Sequence, residues 1–228
     1  MSAVAPLFAE RFAERQLSFA RDLPANDTAP EMGWKRRALA GRIVELHARG
    51  ASASLTLAFR LVLDAQAEGE PVAWVTTAAR TFYPPDAAAS GVDLRALAVV
   101  RVAESSDIPR AADHLARSGS FGLLVLDLPR HARVPAPLAS RLLGLAQKHA
   151  MAVLCLTESA ASASSSATST SAPGGASSLG SLVSLRAETT LRHHRRGAFT
   201  CTLRAVKDKR QAPGWVYEEV CRGPVGMR

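Results

Sequence analysis

Gly41-Arg42-Ile43-Val44-Glu45-Leu46-His47-Ala48-Arg49-Gly50-Ala51-Ser52-Ala53-Ser54-Leu55-Thr56-Leu57 reads as a strand entering a phosphate-binding loop from which the chemistry has been removed. A working loop has the form G-x-x-x-x-G-K-[ST]. Its glycines let backbone N–H groups close around phosphates, its lysine reaches the β/γ-phosphates, and its hydroxyl holds Mg²⁺. In register, Ala48 and Ala53 stand at the two glycines, Ser54 at the lysine and Leu55 at the metal-holding hydroxyl. Arg49 is the one cation inside the loop, and it does not replace all three groups together. The frame points to a partner rather than to a reaction, and no cofactor and no metal are expected.

Outward from this loop, strands and helices alternate. Strands are expected at 42–47, 72–77, 97–102, 123–127 and 152–157, and helices at 54–68, 108–118 and 138–149. A Pro-containing loop and short helix lie between, at 78–90. Strands apolar along their whole length belong to parallel sheets covered on both faces. Further strands at 179–191 and 198–206, joined by the basic turn His193-His194-Arg195-Arg196-Gly197, extend the sheet antiparallel. Residues 5–22 have helical spacing, with Phe8, Phe12 and Phe19 near one face; that face packs either on its own core or on another subunit. Residues 23–34 read as a linker. The Ser/Ala tract at 158–178 is too poor in apolar residues to offset its ordering entropy and reads as a mobile loop. Three parts follow: a helix and linker at 1–34, a core at 35–210, and a tail from 211 to 228 that begins with a short strand.

The 228 residues suffice for one domain with accessory segments. No apolar run approaches the roughly 20 residues of a membrane span, and residues 1–20 lack a signal peptide's apolar stretch, so a cytoplasmic location without membrane contact is expected. Cys155, Cys201 and Cys221 have no paired spacing, which supports neither a zinc site nor a disulfide framework, and Cys155 reads as a core residue. Ser52, Ser54 and Ser105-Ser106 form no nucleophile arrangement. The net charge of +8 is uneven: eight basic and two acidic residues between Arg186 and Arg210 give that segment +6. Such an excess fits an anionic partner, nucleic acid above all, and fits equally a charge-protected sheet edge. The phosphate-holding candidates are Arg192, His193, His194, Arg195 and Arg196 with Lys207, Lys209 and Arg210. Binding through them would be electrostatic and indifferent to sequence, since Phe199 is the one aromatic residue near the turn.

The order of pieces resembles the RecA recombinase core over roughly residues 35–205. Gly41-Arg42-Ile43-Val44-Glu45 matches the strand before that family's phosphate loop. Gly91-Val92-Asp93-Leu94 with Leu97-Ala98-Val99-Val100 matches the segment after its second strand, and Ser118-Gly119 with Leu123-Leu124-Val125-Leu126-Asp127 matches its Walker B strand. Gly174-Gly175 with residues 182–196 resembles the strands after its second DNA loop. The resemblance implies an α/β fold with a RecA-like core, a mostly parallel sheet sandwiched by helices, antiparallel C-terminal strands and a short N-terminal helix. Where the family places its water-activating glutamate, this chain has Thr76-Thr77-Ala78-Ala79. Asp127 survives as a residual Walker B aspartate without its metal partner, and is expected to cap a nearby turn.

A RecA-like core with a dead nucleotide site, a short N-terminal helix and no large C-terminal domain resembles the ImuA proteins of bacterial damage-induced mutagenesis. That likeness rests on Gly91–Leu94 with Val99-Val100-Arg101, on Ser118-Gly119-Ser120-Phe121-Gly122-Leu123-Leu124, and on Arg141-Leu142-Leu143-Gly144-Leu145-Ala146. It implies a non-enzymatic role in translesion synthesis with ImuB and an error-prone DNA polymerase. RecA is a further expected partner, docked through Phe8, Phe12 and Phe19, with its filament activity limited by the contact. An electrostatic DNA-binding module and a SulA-like cell-division inhibitor are the alternatives.

Overall fold

The computed structural model of the chain describes residues 33–48, 51–80, 82–129, 132–158, 179–195 and 197–222. The expected helix at 5–22 with Phe8, Phe12 and Phe19, the Ser/Ala tract and Arg196 lie outside them. The elements run α1 (Arg36–Leu39), β1 (Arg42–Ala48), α2 (Ser54–Ala67), β2 (Val72–Thr77), α3 (Pro84–Ala89), β3 (Leu97–Val102), α4 (Ile108–Ser118), β4 (Leu123–Asp127), α5 (Ala136–Lys148), β5 (Ala152–Glu158), β6 (Leu185–Arg195), β7 (Ala198–Asp208) and β8 (Val216–Arg222). Eight strands form one sheet in the order β3-β2-β4-β5-β1-β6-β7-β8. The first six in that order pair parallel, and β6, β7 and β8 pair antiparallel. The expected α/β class, a mostly parallel sheet between helices with antiparallel C-terminal strands, is what the chain forms.

Every residue of β2 and β4 is buried, which is why these strands are apolar throughout rather than alternating. Along β1 and β5 the side chains divide between two cores. Val44, Leu46, Leu154 and Leu156 pack with Leu57, Leu61 and Val62 of α2. Ile43, Val153 and Cys155 face Ile108, Ala112, Leu142 and Ala146 of α4 and α5. Trp74 lies in the first core against Phe59 at 5.4 Å and Phe82 at 5.2 Å between ring centroids. Trp34, at the end of the stretch read as a linker, is part of the same core, and its indole N–H donates to the Leu57 carbonyl at 2.8 Å. α4 ends at Gly119, whose φ of +66° makes the left-handed turn that closes a helix. A Cβ there would come within 2.8 Å of the His149 ring.

Several boundaries differ from expectation. β6 runs on to Arg195, so His193, His194 and Arg195, read as turn residues, lie on the strand, and β7 runs on to Asp208. The strand expected from 179 begins at Leu185, because Gly180–Leu182 forms a 3₁₀ turn that buries Leu179 and Val183 against the α5 side. The tail contributes a full strand, β8, as the sheet edge. Cys201 and Cys221 form a disulfide between β7 and β8, which corrects the expectation of no cysteine pairing. Cys155 is buried and unpaired. Among the described residues, no helix is long and apolar enough to cross a membrane.

Candidate functional site

β1 delivers Ala48 to the carboxyl edge of the sheet and α2 starts at Ser54, so the chain builds the strand–loop–helix frame that the sequence outlined. What fills the frame is hydroxyl. Ser52 Oγ accepts from the Ser54 N–H at 3.0 Å, a local side-chain turn that leads into the helix, whose N-cap Ala53 offers no side-chain acceptor. Ser54, at the lysine position, turns its hydroxyl inward to Thr189 Oγ1 of β6 at 2.7 Å, and Ser52 Oγ meets the same Thr189 atom at 2.9 Å. The Leu191 N–H donates to the Ala51 carbonyl at 3.1 Å, tying the loop backbone to β6. Leu55, at the metal-holding position, is 47% exposed and presents no donor or acceptor on its side chain.

Asp127 ends β4 at the same edge and is 3% exposed. It is not a turn cap. Its Oδ2 accepts from the Thr76 hydroxyl at 3.0 Å, and its Oδ1 accepts twice from Arg80, from Nε at 3.0 Å and from a terminal nitrogen at 2.7 Å. The other terminal nitrogen of Arg80 donates to Glu158 Oε1 at 2.6 Å. Glu158 is the last residue of β5 and stands in register with Ala48 of the loop. One guanidinium therefore spans the crevice from the Walker B position to the strand beside the phosphate loop. Burial alone would lower the Arg80 pKa; the hydrogen bonds and charges of Asp127 and Glu158 outweigh it and raise it. Sequence reasoning stopped at Ala78-Ala79 and passed over Arg80, the next residue. Its partners lie 47 and 78 residues away, and no local pattern marks them.

The basic segment divides in two. Arg192, His193, His194 and Arg195 occupy the β6 end of the hairpin tip and are exposed. His193 meets the Phe199 ring edge-on at 5.7 Å, and His194 Nδ1 lies 3.2 Å from Thr200 Oγ1. Register puts Arg195 opposite Ala198 and Ala198 opposite Arg222, so Arg222 joins this cluster from β8. Lys207, Lys209 and Arg210 sit at the other end of β7, roughly 30 Å away along a strand that rises about 3.4 Å per residue. Two of these side chains are engaged there: Lys207 Nζ donates to the Ser181 carbonyl at 3.3 Å and Arg210 to the Ala40 carbonyl at 3.1 Å. Burial, then the nearby Lys209 and Arg186, lower the Lys207 pKa. The sequence had grouped all eight residues as one candidate surface; the hairpin register separates the seven that lie among the described residues. Among the described residues no three His, Cys, Asp or Glu side chains converge as a metal site.

No protein-family model matches the chain. Protein RecA of Fusobacterium nucleatum is 34% identical over 87 residues, which are 38% of this chain and 23% of that protein. Over that stretch the chain is RecA-like. The match spans about a quarter of the relative's length. The RecA-like likeness agrees with the strand–loop–helix frame and the mixed sheet.

Proposed function

We propose that this protein is a non-enzymatic, RecA-like accessory protein of damage-induced mutagenesis that acts by binding. One observation carries the non-enzymatic part: Arg80 occupies both oxygen-bearing walls of the nucleotide crevice, bonding Asp127 and Glu158 at once. A phosphoryl-transfer site needs a metal on that aspartate and a lysine in the loop. Here the aspartate already holds a cation, and the loop hydroxyls satisfy one another through Thr189.

The partners we assign follow the ImuA likeness: ImuB with its error-prone polymerase, and RecA. A related core can seat on the end of a RecA filament by the shape of its own sheet and helices. With no ATP to complete the joint, growth would stop there. The test is a RecA strand-exchange assay with this protein in several-fold molar excess, using the full chain and a chain lacking residues 1–22. The expected result is inhibition by the full chain and weaker inhibition by the truncated one. Strand exchange unchanged by the full chain would overturn the RecA contact.

A second reading, electrostatic binding to DNA, is favoured by the hairpin tip. Arg192, Arg195 and Arg222 cluster there, and among the described residues none of the three has an ion-pair partner. Salt dependence tests it, with a magnitude set by the number of arginines at that one end.

A further inference from the structure

β8 is the last strand of the sheet, and among the described residues nothing pairs with its outer side. Such an edge is a row of N–H and C=O groups open to another strand, and proteins ordinarily blunt it with a bulge, a proline, a lysine or a very short strand. β8 has none of these. It runs for seven residues, Val216–Arg222, without proline or lysine, and pairs with β7 without a register shift. The Cys201–Cys221 disulfide fastens it to β7, so the edge is presented as a fixed rail. Val216, Glu218, Val220 and Arg222 alternate on its exposed face. Val220 is 38% exposed. Glu218 accepts from the Thr202 hydroxyl at 3.0 Å, and among the described residues neither Glu218 nor Arg222 has an ion-pair partner.

We propose that β8 pairs with β8 of a second copy of this chain, antiparallel about a two-fold axis at Val220, joining two sheets into one. The charges decide the occupant. Side chains directly opposite in an antiparallel pair lie on the same face, so two identical strands related by a two-fold axis meet with one residue opposite its own copy. Centring on Glu218 or Glu219 sets a carboxylate against itself, which is destabilising. Centring on Tyr217 or Cys221 pairs only three residues of the strand in each copy. Centring on Val220 pairs five, Glu218 to Arg222. It lays Val220 on Val220 and sets Glu218 opposite Arg222 of the second copy, twice over by symmetry. The charges that deter a foreign strand are thus complementary to the strand itself in one register. Backbone hydrogen bonds supply the affinity, and the crossed ion pairs fix the register. This goes beyond the accessory reading and depends on none of its partners.

The test is the mass of the full chain by analytical ultracentrifugation over a concentration series, without reductant. Arg222 also stands at the hairpin tip, so the assay is run without nucleic acid and reads its pairing alone. Wild type should reach twice the chain mass of 24.1 kDa. Glu218→Arg sets arginine against arginine and Arg222→Glu sets glutamate against glutamate, so each alone should weaken the dimer about tenfold or more. An equimolar mixture of the two single variants, in which every crossed pair is again of opposite charge, should restore it, as should the double variant. Near-UV circular dichroism checks the fold of each. Should a charge reversal fail to fold, cysteine cross-linking reads the same register. Val220→Cys sets two thiols face to face and should form an intermolecular disulfide under mild oxidation. Val216→Cys, on the same exposed face but about 27 Å from its own copy at about 3.4 Å per residue, should not. Wild type that stays a monomer at every concentration overturns the proposal. A dimer that survives both single reversals, or Val220→Cys that cross-links no faster than Val216→Cys, overturns it as well. A dimer with this register alongside unchanged RecA strand exchange supports this inference while counting against the accessory role.

Discussion

Arg42 and Asp208 are the first and last residues of their strands, 166 positions apart, and both are almost completely enclosed. Arg42 also donates from Nε to Ser184 Oγ at 3.0 Å and to the Ser184 carbonyl at 3.2 Å. Asp208 accepts from the Arg210 N–H at 2.9 Å and the Trp215 indole N–H at 3.1 Å. The pair fastens the start of the parallel sheet to the end of the β6–β7 hairpin, lining a cavity of about 220 Å³ with Leu39 and Trp215. Burial pushes the Asp208 carboxyl up, but the Arg210 and Trp215 hydrogen bonds together with Arg42 more than reverse this, so it lies below the usual carboxylate range. A depressed folded pKa stabilises the protein above the unfolded value, about 3.9, and the contribution is lost as pH falls through the folded value. Arg42→Ala, which strands the buried carboxylate, should cost about 3–5 kcal/mol in urea unfolding at pH 7. Asp208→Asn should flatten the loss of stability below about pH 4 relative to wild type, measured by the same unfolding at stepped pH. A steep acid limb retained in Asp208→Asn would assign that limb to other carboxylates.

At the scale of elements, the β7–β8 pair shows what sequence could and could not reveal. The central strands were legible because burial on both faces makes them continuous apolar runs, and β2 and β4 have the bounds that the apolar pattern gives; the edge strand β3 also keeps its expected bounds although most of it is not buried. Residues 179–183 were misread as strand because Leu179, Leu182 and Val183 are apolar for a different reason: they cap the α5 face in a 3₁₀ turn. Cys201 and Cys221 carried no spacing signal, since cross-strand neighbours depend on the length of the connecting turn. The disulfide holds the edge strand to the sheet and closes a 20-residue separation, for which the chain-entropy account gives about 3 kcal/mol. Purified without reductant and unfolded in denaturant, the chain should yield one thiol by Ellman's reagent, that of Cys155, and three after reduction. Three thiols without reductant would mean that the pair is open. Burial, with Glu45 adding to it, raises the Cys155 thiol pKa, so in the folded protein that thiol should react far more slowly than in denaturant.

Across the whole molecule, the two sides of the sheet are treated differently. Helices cover both faces of the parallel strands, whereas the outer strands β7 and β8 keep one face for the first core and leave Arg204, Val206, Val216, Glu218 and Val220 exposed on the other. The basic tip stands at one end of that open face, and its partition from Lys207, Lys209 and Arg210 sets the size of any electrostatic contact. Eight residues acting together would neutralise about six phosphates and give a slope of log K against log salt near −5; the three arginines described at the tip give about −3 on duplex DNA. Measured binding with a slope near −3, lost in an Arg192→Glu, Arg222→Glu double variant, is the expected outcome for the DNA reading. No binding at low salt would reject it. β6 has one more consequence. Thr189 and Leu191 hold the closed loop, and Arg192, the next residue, already belongs to the tip. The strand is thus a lever with its fulcrum in the crevice: whatever pulls on the tip pulls on the loop within about 10 Å, and the hydroxyl cluster of Ser52, Ser54 and Thr189 becomes the anchor against which that load is borne.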